Sequence, residues 1–177
     1  MIIGITGTNG SGKDTVAEYL KKKGFTHYSL SDVIRHELKK HNIEETRDNL
    51  IMMGNKMREE YGPSVLAAEV KELMIGNDKF VISSIRNPAE VEELKKMEGF
   101  MLIAVDAPIE TRFKRVSSRG RFEGAANLEE FRKKEELEMS DDTNAQQIHN
   151  VIKIADLLII NDGTVEELHK KIDEVIS

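Results

Sequence analysis

The start of the chain constrains the fold most, because a predicted strand runs directly into a glycine-rich loop and then into a predicted helix. The strand is MIIGIT, residues 1–6, a short run rich in β-branched apolar side chains. The loop has the spacing Gly7-x-x-x-x-Gly12-Lys13, and the helix DTVAEYLKKKG, residues 14–24, stops at a glycine. Backbone amides at a helix N-terminus bind anions, so this order of elements predicts a phosphate-binding loop.

This loop is predicted to hold the phosphates of a nucleotide, with Lys13 reaching the β- and γ-phosphates. The other predicted nucleotide contacts in the loop are Asn9, Gly10, Ser11 and Gly12. Asp14 stands where a serine or threonine usually follows the lysine. One interpretation is structural, since the helix macrodipole favours an acidic residue in the first turn by about 0.3–1 kcal/mol. The other interpretation places Asp14 at a metal ion or at the phosphoryl acceptor, and the sequence leaves both open.

Further apolar runs alternate with helical patterns and complete a predicted sheet. They are THYSL (26–30), KFVISSI (79–85), FMLIAVDA (100–107) and DLLIIN (156–161). Helices are predicted from near Ser31 or Asp32 and over NPAEVEELKKMEG, residues 87–99. Strands that are apolar on both faces and alternate with helices are typical of a parallel sheet covered on both sides. We therefore expect an α/β fold with three α/β/α layers and a five-stranded parallel sheet.

Two inserts interrupt the single domain that we predict. The core is expected to comprise residues 1–35, 76–110 and 156–177. The insert 36–75 is predicted to be helical, with a joint between two helices at Gly62-Pro63, and the segment 111–155 is charged and largely helical. The joint would allow the insert to close as a lid over an acceptor. Most apolar side chains of the insert are expected in the core, but they could also form a helix–helix or homodimer contact.

The composition excludes several kinds of protein. With 26 Lys and Arg against 32 Asp and Glu, the net charge of −6 argues against a general nucleic-acid binder. There is no cysteine, so disulfides and thiolate metal sites are excluded. No apolar run approaches the roughly 20 residues that cross a bilayer, and no basic leader precedes an apolar core. We therefore expect a cytoplasmic protein without nucleic-acid or membrane partners.

A basic segment stands out in this acidic chain. TRFKRVSSRGR, residues 111–121, contains five basic residues and no acidic one. In a helix, Arg115 and Arg119 would lie one turn apart on the same face, with Arg112 three residues before Arg115. The cluster predicts a negatively charged ligand, and an ordinary solvated helix face is the alternative.

Several stretches of the chain resemble known kinases. They are GITGTNGSGK (4–13), SDVIR (31–35), REEYGPSVLA (58–67), IRNPAEVEEL (85–94), VDAPIETRF (105–113) and INDGTVEEL (160–168). They resemble the archaeal-type family described as dephospho-coenzyme A kinase-related, a branch of the adenylate kinase-like P-loop NTPases, and the chain also resembles (deoxy)nucleoside monophosphate kinases. The resemblance implies a nucleoside monophosphate kinase-like fold in which residues 36–75 form an acceptor-binding insert and residues 111–155 a lid.

The resemblance also implies roles at the nucleotide. GKDT, residues 12–15, has the register of the Gly-Lys-Gly-Thr loop of adenylate kinases, so the Thr15 hydroxyl would contact a phosphate and reach magnesium through water. In the lid, Arg115 would stack on the adenine, and Arg119 would touch the phosphates as the lid closes. The loop that contains Gly163 would pass over the adenine.

At the acceptor, SLSDVIR (29–35) resembles the segment that follows the second strand of monophosphate kinases. Arg35 would then grip the acceptor's phosphate, which suits the planar, permanently charged guanidinium. Arg86, just after the third predicted strand, resembles a second acceptor-binding arginine. Asp32 would serve as a general base if the acceptor were a ribose hydroxyl.

One departure from the resemblance concerns the metal. Relatives tend to carry Asp-Gly after the third strand, where the carboxylate helps to hold hydrated magnesium, whereas this chain has Ser83-Ser84. The candidates to replace that carboxylate are Asp14, Asp32 and Asp106. Our hypothesis is that Asp14, the closest of them in sequence to the phosphate loop, partly compensates; the alternative is a weak or altered kinase.

The sequence therefore predicts an ATP-dependent kinase that uses Mg²⁺ and acts on small-molecule nucleotides. The predicted catalytic residues are Lys13, Asp14, Asp32 and Arg119, and the predicted metal contacts are Asp14 and Thr15. We expect a (deoxy)nucleoside monophosphate as acceptor. The alternatives are a dephospho-coenzyme A kinase acting on the ribose 3′-hydroxyl and a nucleotide-hydrolysing switch or assembly factor.

Overall fold

A sheet of five parallel strands lies at the centre of the protein. The computed structural model describes residues 1–118, 127–137 and 142–177. The strands are β1 (Ile2–Thr6), β2 (Thr26–Ser29), β3 (Phe80–Ser83), β4 (Phe100–Asp106) and β5 (Leu157–Ile160). They lie in the order β2-β3-β1-β4-β5, and each neighbouring pair is parallel, which confirms the predicted sheet. Because β1 is central, the loop that follows it lies at the middle of the sheet's carboxyl edge.

Helices cover both faces of the sheet. In chain order they are α1 (Lys13–Lys22), α2 (Leu30–Lys40), α3 (Arg47–Tyr61), α4 (Val65–Leu73), α5 (Pro88–Lys95), α6 (Ile109–Ser118), α7 (Leu128–Leu137), α8 (Ile148–Lys153) and α9 (Val165–Ile176). On one face, α1 and α9 pack against alternate β1 side chains such as Ile3 and Ile5. The opposite face, which includes Ile2, is covered by α2, α4, α5 and α8. The result is the predicted three-layer α/β/α arrangement.

Two predicted boundaries differ from the structure. The strand predicted over KFVISSI, 79–85, ends as β3 at Ser83, because Ser84 has a φ of 64° and leaves the extended conformation. Helix α2 begins at Leu30, which the sequence assigned to the end of the preceding strand.

The insert 36–75 consists of the end of α2 followed by α3 and α4, with irregular connections between them. The predicted joint is confirmed, since Gly62 has a φ of 98° and ends α3, and Pro63 precedes α4. The apolar side chains of α3 and α4 that pack in the core, as expected for most of them, are Met53, Met57, Leu66 and Val70. Leu73, by contrast, is 55% exposed.

The segment 111–155 contains most of α6 together with α7 and α8, which agrees with the prediction of a largely helical segment. Arg119 and the stretch 120–126 lie outside the described residues. In the three ranges that the structure describes, no helix combines the length and the apolar character that crossing a bilayer requires.

Candidate active site

The glycine-rich loop connects the carboxyl end of β1 to the first turn of α1, as predicted. Gly12 precedes α1 with a φ of 101°, in the left-handed region that favours glycine. A Cβ atom at position 12 would also collide with Nδ2 of Asn161, and one at position 7 would collide with the carbonyl oxygen of Val105. Both glycines of the sequence pattern are therefore required by the way in which the loop packs.

Two side chains from neighbouring strands hold this loop. Asp106, the last residue of β4, accepts a hydrogen bond from Thr8 Oγ1 at 2.9 Å. Asn161, directly after β5, donates from Nδ2 to the carbonyl oxygen of Ser11 at 2.8 Å. Asp106 was one candidate to replace the missing magnesium carboxylate, but in the structure it supports the phosphate loop.

A cavity of about 490 Å³ lies beside the loop. The loop contributes Gly7, Asn9, Gly10, Gly12, Lys13 and Asp14 to its lining. The cavity continues to the helical insert and to the end of β3, where the lining includes Arg35, Arg58, Leu66, Ser84 and Arg86. The predicted phosphate site and the predicted acceptor site therefore share one cavity, and its volume is typical of small-molecule sites.

Some residues of the loop and of the first turn of α1 line this cavity, and others do not. Lys13 lines it, and its Nζ lies 3.4 Å from the carbonyl oxygen of Thr8. Asp14 also lines the cavity and is exposed. Ser11 is fully buried, and Thr15 is half-buried in the first turn of α1; neither is part of the lining. The structure thus brings Lys13 and Asp14 to the position predicted for phosphate.

Arg35 lines the cavity, but two carboxylates engage its guanidinium. Its Nη1 donates to Asp32 Oδ1 at 2.8 Å and its Nε to Glu45 Oε1 at 2.7 Å. The hydrogen bond to Glu45 raises the pKa of Arg35 above its ordinary value. The side chain of Asp32 is 67% exposed and borders a shallower depression next to the cavity. The structure therefore brings Arg35 to the predicted acceptor site but leaves Asp32 outside the cavity lining.

Arg86 lies in the loop between β3 and α5 and lines the cavity, as expected for an acceptor-binding residue. Its Nη1 donates to Gln146 Oε1 at 2.8 Å, and Gln146 lines the cavity as well. Its backbone N–H donates to Glu90 Oε2 at 2.8 Å. Arg86 thus connects the end of β3 to the segment before α8.

Sequence reasoning missed Arg58, whose side chain is buried in a salt bridge with Glu90. Arg58 is 2% exposed and Glu90 is fully buried. Arg58 donates from Nη2 to Glu90 Oε1 at 2.8 Å and from Nε to the same oxygen at 3.1 Å. The signal in the sequence was an arginine directly after Met57, at a core-facing position of α3, because arginine is almost never fully buried unless it is paired.

The Ser83-Ser84 pair keeps the backbone expected of Asp-Gly. Ser84 has a φ of 64°, where glycine would be favoured, and its Oγ lies 2.9 Å from Ser29 Oγ. Ser83 is buried, and its Oγ lies 2.8 Å from Nε2 of His27. Burial, followed by the charge of Lys21, lowers the pKa of His27 below its ordinary value of 6.5. The position of the expected carboxylate is therefore occupied by a neutral hydrogen-bonded pair.

Arg112 of the basic segment has its negative partner within the protein. Its side chain is buried and donates from Nη2 to Glu135 Oε2 of α7 at 3.0 Å. It also donates from Nε to the carbonyl oxygen of Ala107 at 2.8 Å and from Nη1 to that of Asn9 at 3.4 Å. Arg112 therefore anchors α7 to the phosphate loop and is not available to a ligand.

Arg115 and the loop after β5 lie close to each other. Arg115 Nη2 donates to Asn161 Oδ1 at 3.4 Å. Its Nη1 is buried and has no hydrogen-bond partner within the described ranges. Gly163 is exposed in the same loop, two residues after Asn161. Arg115, one predicted adenine contact, therefore bonds to the residue two positions before Gly163, the other predicted contact, whereas Arg119 lies outside the described residues.

The fold implies Mg²⁺ beside a bound nucleotide, and the residues present can supply one carboxylate ligand to it but no complete set of protein ligands. No group of three or more histidine, aspartate or glutamate side chains in the described ranges could hold a metal ion. Nucleotide-bound Mg²⁺ commonly uses one or two carboxylates together with water and substrate phosphates. Asp14 supplies one exposed carboxylate in the cavity lining, next to Lys13, and Thr15 is the next residue of the same helical turn.

The sheet order, the loop after its central strand and the shared cavity define a P-loop protein of the kinase-like type. A family model described as an AAA domain matches residues 3–138. The UPF0200 protein of Pyrococcus abyssi is 35% identical over 185 residues, a match that covers 99% of this chain and 95% of that protein. The chain belongs to this UPF0200 family.

Solved structures share the fold at lower identity. TT1252 from Thermus thermophilus superposes with a TM-score of 0.65 at 23% identity, covering 99% of this chain and 96% of that one. A shikimate kinase from Aquifex aeolicus superposes with a TM-score of 0.56 at 19% identity, with the same coverage of 99% and 96%. At these identities the likeness establishes the kinase-like fold and no particular substrate.

Proposed function

We propose that this protein is an ATP-dependent kinase that transfers the γ-phosphoryl group of Mg-ATP to a nucleotide-type acceptor, a (deoxy)nucleoside monophosphate. The observation that carries the proposal is the shared cavity, which has Lys13 and the loop at one end and Arg58 and Arg86 at the other. A nucleotide whose phosphates bind the loop and an anionic acceptor at the arginines would meet in the same space. The kinase-like fold of the structural neighbours supports phosphoryl transfer in general.

Each residue contributes to this reaction mainly by charge and position. An oxygen of the acceptor's phosphate attacks the γ-phosphorus, the bond from that phosphorus to the β–γ bridging oxygen breaks, and ADP leaves. Lys13 and the loop amides would stabilise the charge of the transferring group, which is the main catalytic requirement in such reactions. Mg²⁺, when bound, would neutralise phosphate oxygens.

The position of Asp32 favours a phosphate acceptor over a ribose hydroxyl. A hydroxyl acceptor, as in dephospho-coenzyme A, gains from a general base, whereas a phosphate oxygen is already nucleophilic. Asp32 was the predicted base, but its carboxylate is bonded to Arg35 and borders a different depression. This observation favours a nucleoside monophosphate over dephospho-coenzyme A as the phosphoryl acceptor.

The test is an acceptor screen with ATP and Mg²⁺, read out as ADP formation against a reaction without acceptor. The panel contains the ribo- and deoxynucleoside 5′-monophosphates and dephospho-coenzyme A. We expect one or more monophosphates to stimulate ADP formation, and we expect Lys13→Ala to abolish this stimulation. Lys22→Ala, at an exposed position of the same helix, is the control and should retain it. ADP formation that no acceptor stimulates would favour a nucleotide-hydrolysing switch instead.

A further inference from the structure

We propose that Arg58 is the residue that binds the anionic group of the acceptor, and that Glu90 is the positioning residue that holds Arg58 in the cavity wall. The inference deepens the proposed function and rests on it for the identity of the acceptor. The anion site itself follows from the structure of the buried pair, so that it can be tested without turnover.

The Arg58 guanidinium is only partly satisfied by the protein. Its Nε and Nη2 donate to Glu90 Oε1, but Nη1 is buried and has no hydrogen-bond partner within the described ranges. Buried charged donors are normally paired, because leaving one without an acceptor is unfavourable. Arg58 lines the cavity, so an anion in the cavity can supply the missing acceptor.

The surroundings of Nη1 strengthen such an interaction. Gly54 packs directly beside the guanidinium, since a Cβ atom built at this position would lie 3.4 Å from Nη1 and would collide with Cδ1 of Ile34 at 2.9 Å. Ile34 and Leu66 contribute apolar surface to the same cavity. Apolar walls exclude water and reduce the screening of charges, so a charge-assisted hydrogen bond there is stronger than one at an exposed surface.

Glu90 fixes two parts of this site at once. While Oε1 accepts from Arg58, Oε2 accepts from the backbone N–H groups of Arg86 at 2.8 Å and Asn87 at 3.0 Å. Glu90 also belongs to the capping box that begins α5. The same carboxylate therefore sets the position of the Arg58 side chain and of the loop that carries Arg86.

The charge balance favours Arg58 over Arg35 as the anion-binding residue. Arg35 donates to two carboxylates, those of Asp32 and Glu45, so the three groups together carry a net negative charge. Arg58 shares a single carboxylate, and its third nitrogen is still available. An acceptor dianion would be repelled by the first arrangement and bound by the second.

The experiment measures binding without phosphoryl transfer, by calorimetric titration with ADP present at saturation to occupy the phosphate loop. The probes are the nucleoside 5′-monophosphates, the matching nucleosides and inorganic phosphate. The variants are Arg58→Lys, which keeps a cation beside Glu90, and the double variant Arg58→Met/Glu90→Gln, which leaves no buried unpaired charge. Arg132→Lys, at an exposed position of α7, is the control, and circular dichroism and thermal midpoints verify the fold.

We expect both Arg58 variants to weaken monophosphate and phosphate binding by about 10-fold or more, the loss expected for one charged hydrogen bond. ADP affinity and nucleoside binding should match those of wild type. Wild-type affinity for phosphate-bearing probes in a folded Arg58 variant, or a larger effect of Arg35→Lys, would overturn the inference. If phosphate binds through Arg58 but no monophosphate does, the anion site stands and the proposed acceptor class fails.

Discussion

Asn161 and Ser11, 150 residues apart in the chain, are joined by a buried hydrogen bond from the Asn161 side chain to the Ser11 carbonyl oxygen. The same side-chain nitrogen occupies the space that a Cβ atom at Gly12 would need, and the side-chain oxygen of Asn161 accepts from Arg115 at 3.4 Å. The end of β5, the phosphate loop and the basic segment are thereby held in one arrangement.

We predict that Asn161→Ala loosens the phosphate loop. The Ser11 carbonyl would lose a buried partner, which costs about 1–3 kcal/mol of unfolding free energy, and the KM for ATP should rise more than the KM for the acceptor. Denaturant unfolding and steady-state kinetics check both effects. Asp162→Ala is the control at the adjacent position. The Asp162 side chain is exposed and its Oδ1 lies 3.8 Å from Lys171 Nζ, so removing it should have little effect on stability. An unchanged KM for ATP in a destabilised Asn161 variant would limit Asn161 to a structural role.

The salt bridge between Arg112 and Glu135 predicts a second effect on stability. Glu135→Ala removes the carboxylate that accepts from both terminal nitrogens of the buried Arg112 guanidinium and leaves Asp106 Oδ1, 3.6 Å from Nε, as the nearby carboxylate. Removing one partner of a buried pair costs about 3–5 kcal/mol, so we expect a loss of unfolding free energy up to that range. Hydrogen exchange should show that, relative to wild type, the variant loses more amide protection in α7 than in α1.

The control for this prediction is the exposed pair of Lys133 and Glu129 on the same helix. Lys133→Ala should change the unfolding free energy by only about 0.3–0.5 kcal/mol. Similar losses from Glu135→Ala and Lys133→Ala would contradict the assignment of Arg112 as the anchor of α7.

The sequence was sufficient for the features that depend on neighbouring residues. The order of strand, glycine loop and helix predicted that Lys13 lies where the loop meets α1, as the structure has it, because each step has a local signal. Arg86 was predicted at the cavity because it follows a strand, and residues at the carboxyl ends of parallel strands share one edge. The sheet was predicted from the same alternation of strands and helices.

The features that sequence reasoning missed depend on pairs that only packing brings together. Arg58 and Glu90 lie 32 residues apart, and their contact depends on how the insert sits against the start of α5. Arg112 looked like part of a ligand-binding cluster because Glu135, 23 residues away, gave no local sign of pairing. Contacts between side chains this far apart in the chain leave no periodic pattern in the sequence from which they could be predicted.

The half-buried His27 predicts how the free energy of unfolding depends on pH. Burial lowers its pKa below 6.5, so as the pH falls through 6.5 the unfolded chain takes up a proton more readily than the folded protein. Stability should therefore be highest above pH 6.5 and decrease as the pH falls towards the lower folded-state value. In His27→Gln, which can still bond to Ser83, this decrease should become smaller.

Thermal midpoints between pH 5 and 8 measure the difference, and His36→Gln, at an exposed position of α2, is the control. The pH dependence of His36→Gln should follow that of wild type. If His27→Gln loses stability on acidification as steeply as wild type does, another group causes the decrease.

The last prediction concerns Asp14 and the position at which relatives carry a carboxylate. If Asp14 supplies the charge that Ser83 lacks, then Asp14→Asn should raise the Mg²⁺ concentration needed for half-maximal turnover, and Ser83→Asp should recover part of the loss. The amide keeps the shape of the side chain, so the comparison isolates the charge. If Asp14 only complements the helix dipole, Asp14→Asn should cost about 0.3–1 kcal/mol of stability and leave turnover unchanged.

The two explanations are separated by a double-mutant cycle, because recovery is a coupling between sites that single variants cannot reveal. Mg²⁺-dependent rates and thermal midpoints are measured for wild type, both single variants and the double variant. Because Ser83 bonds to His27, Ser83→Asp is also combined with His27→Gln to remove the rival ion pair that the new carboxylate could form. Purely additive effects on the rate, in both His27 backgrounds, would exclude compensation by Asp14 and leave it as a helix-terminal charge.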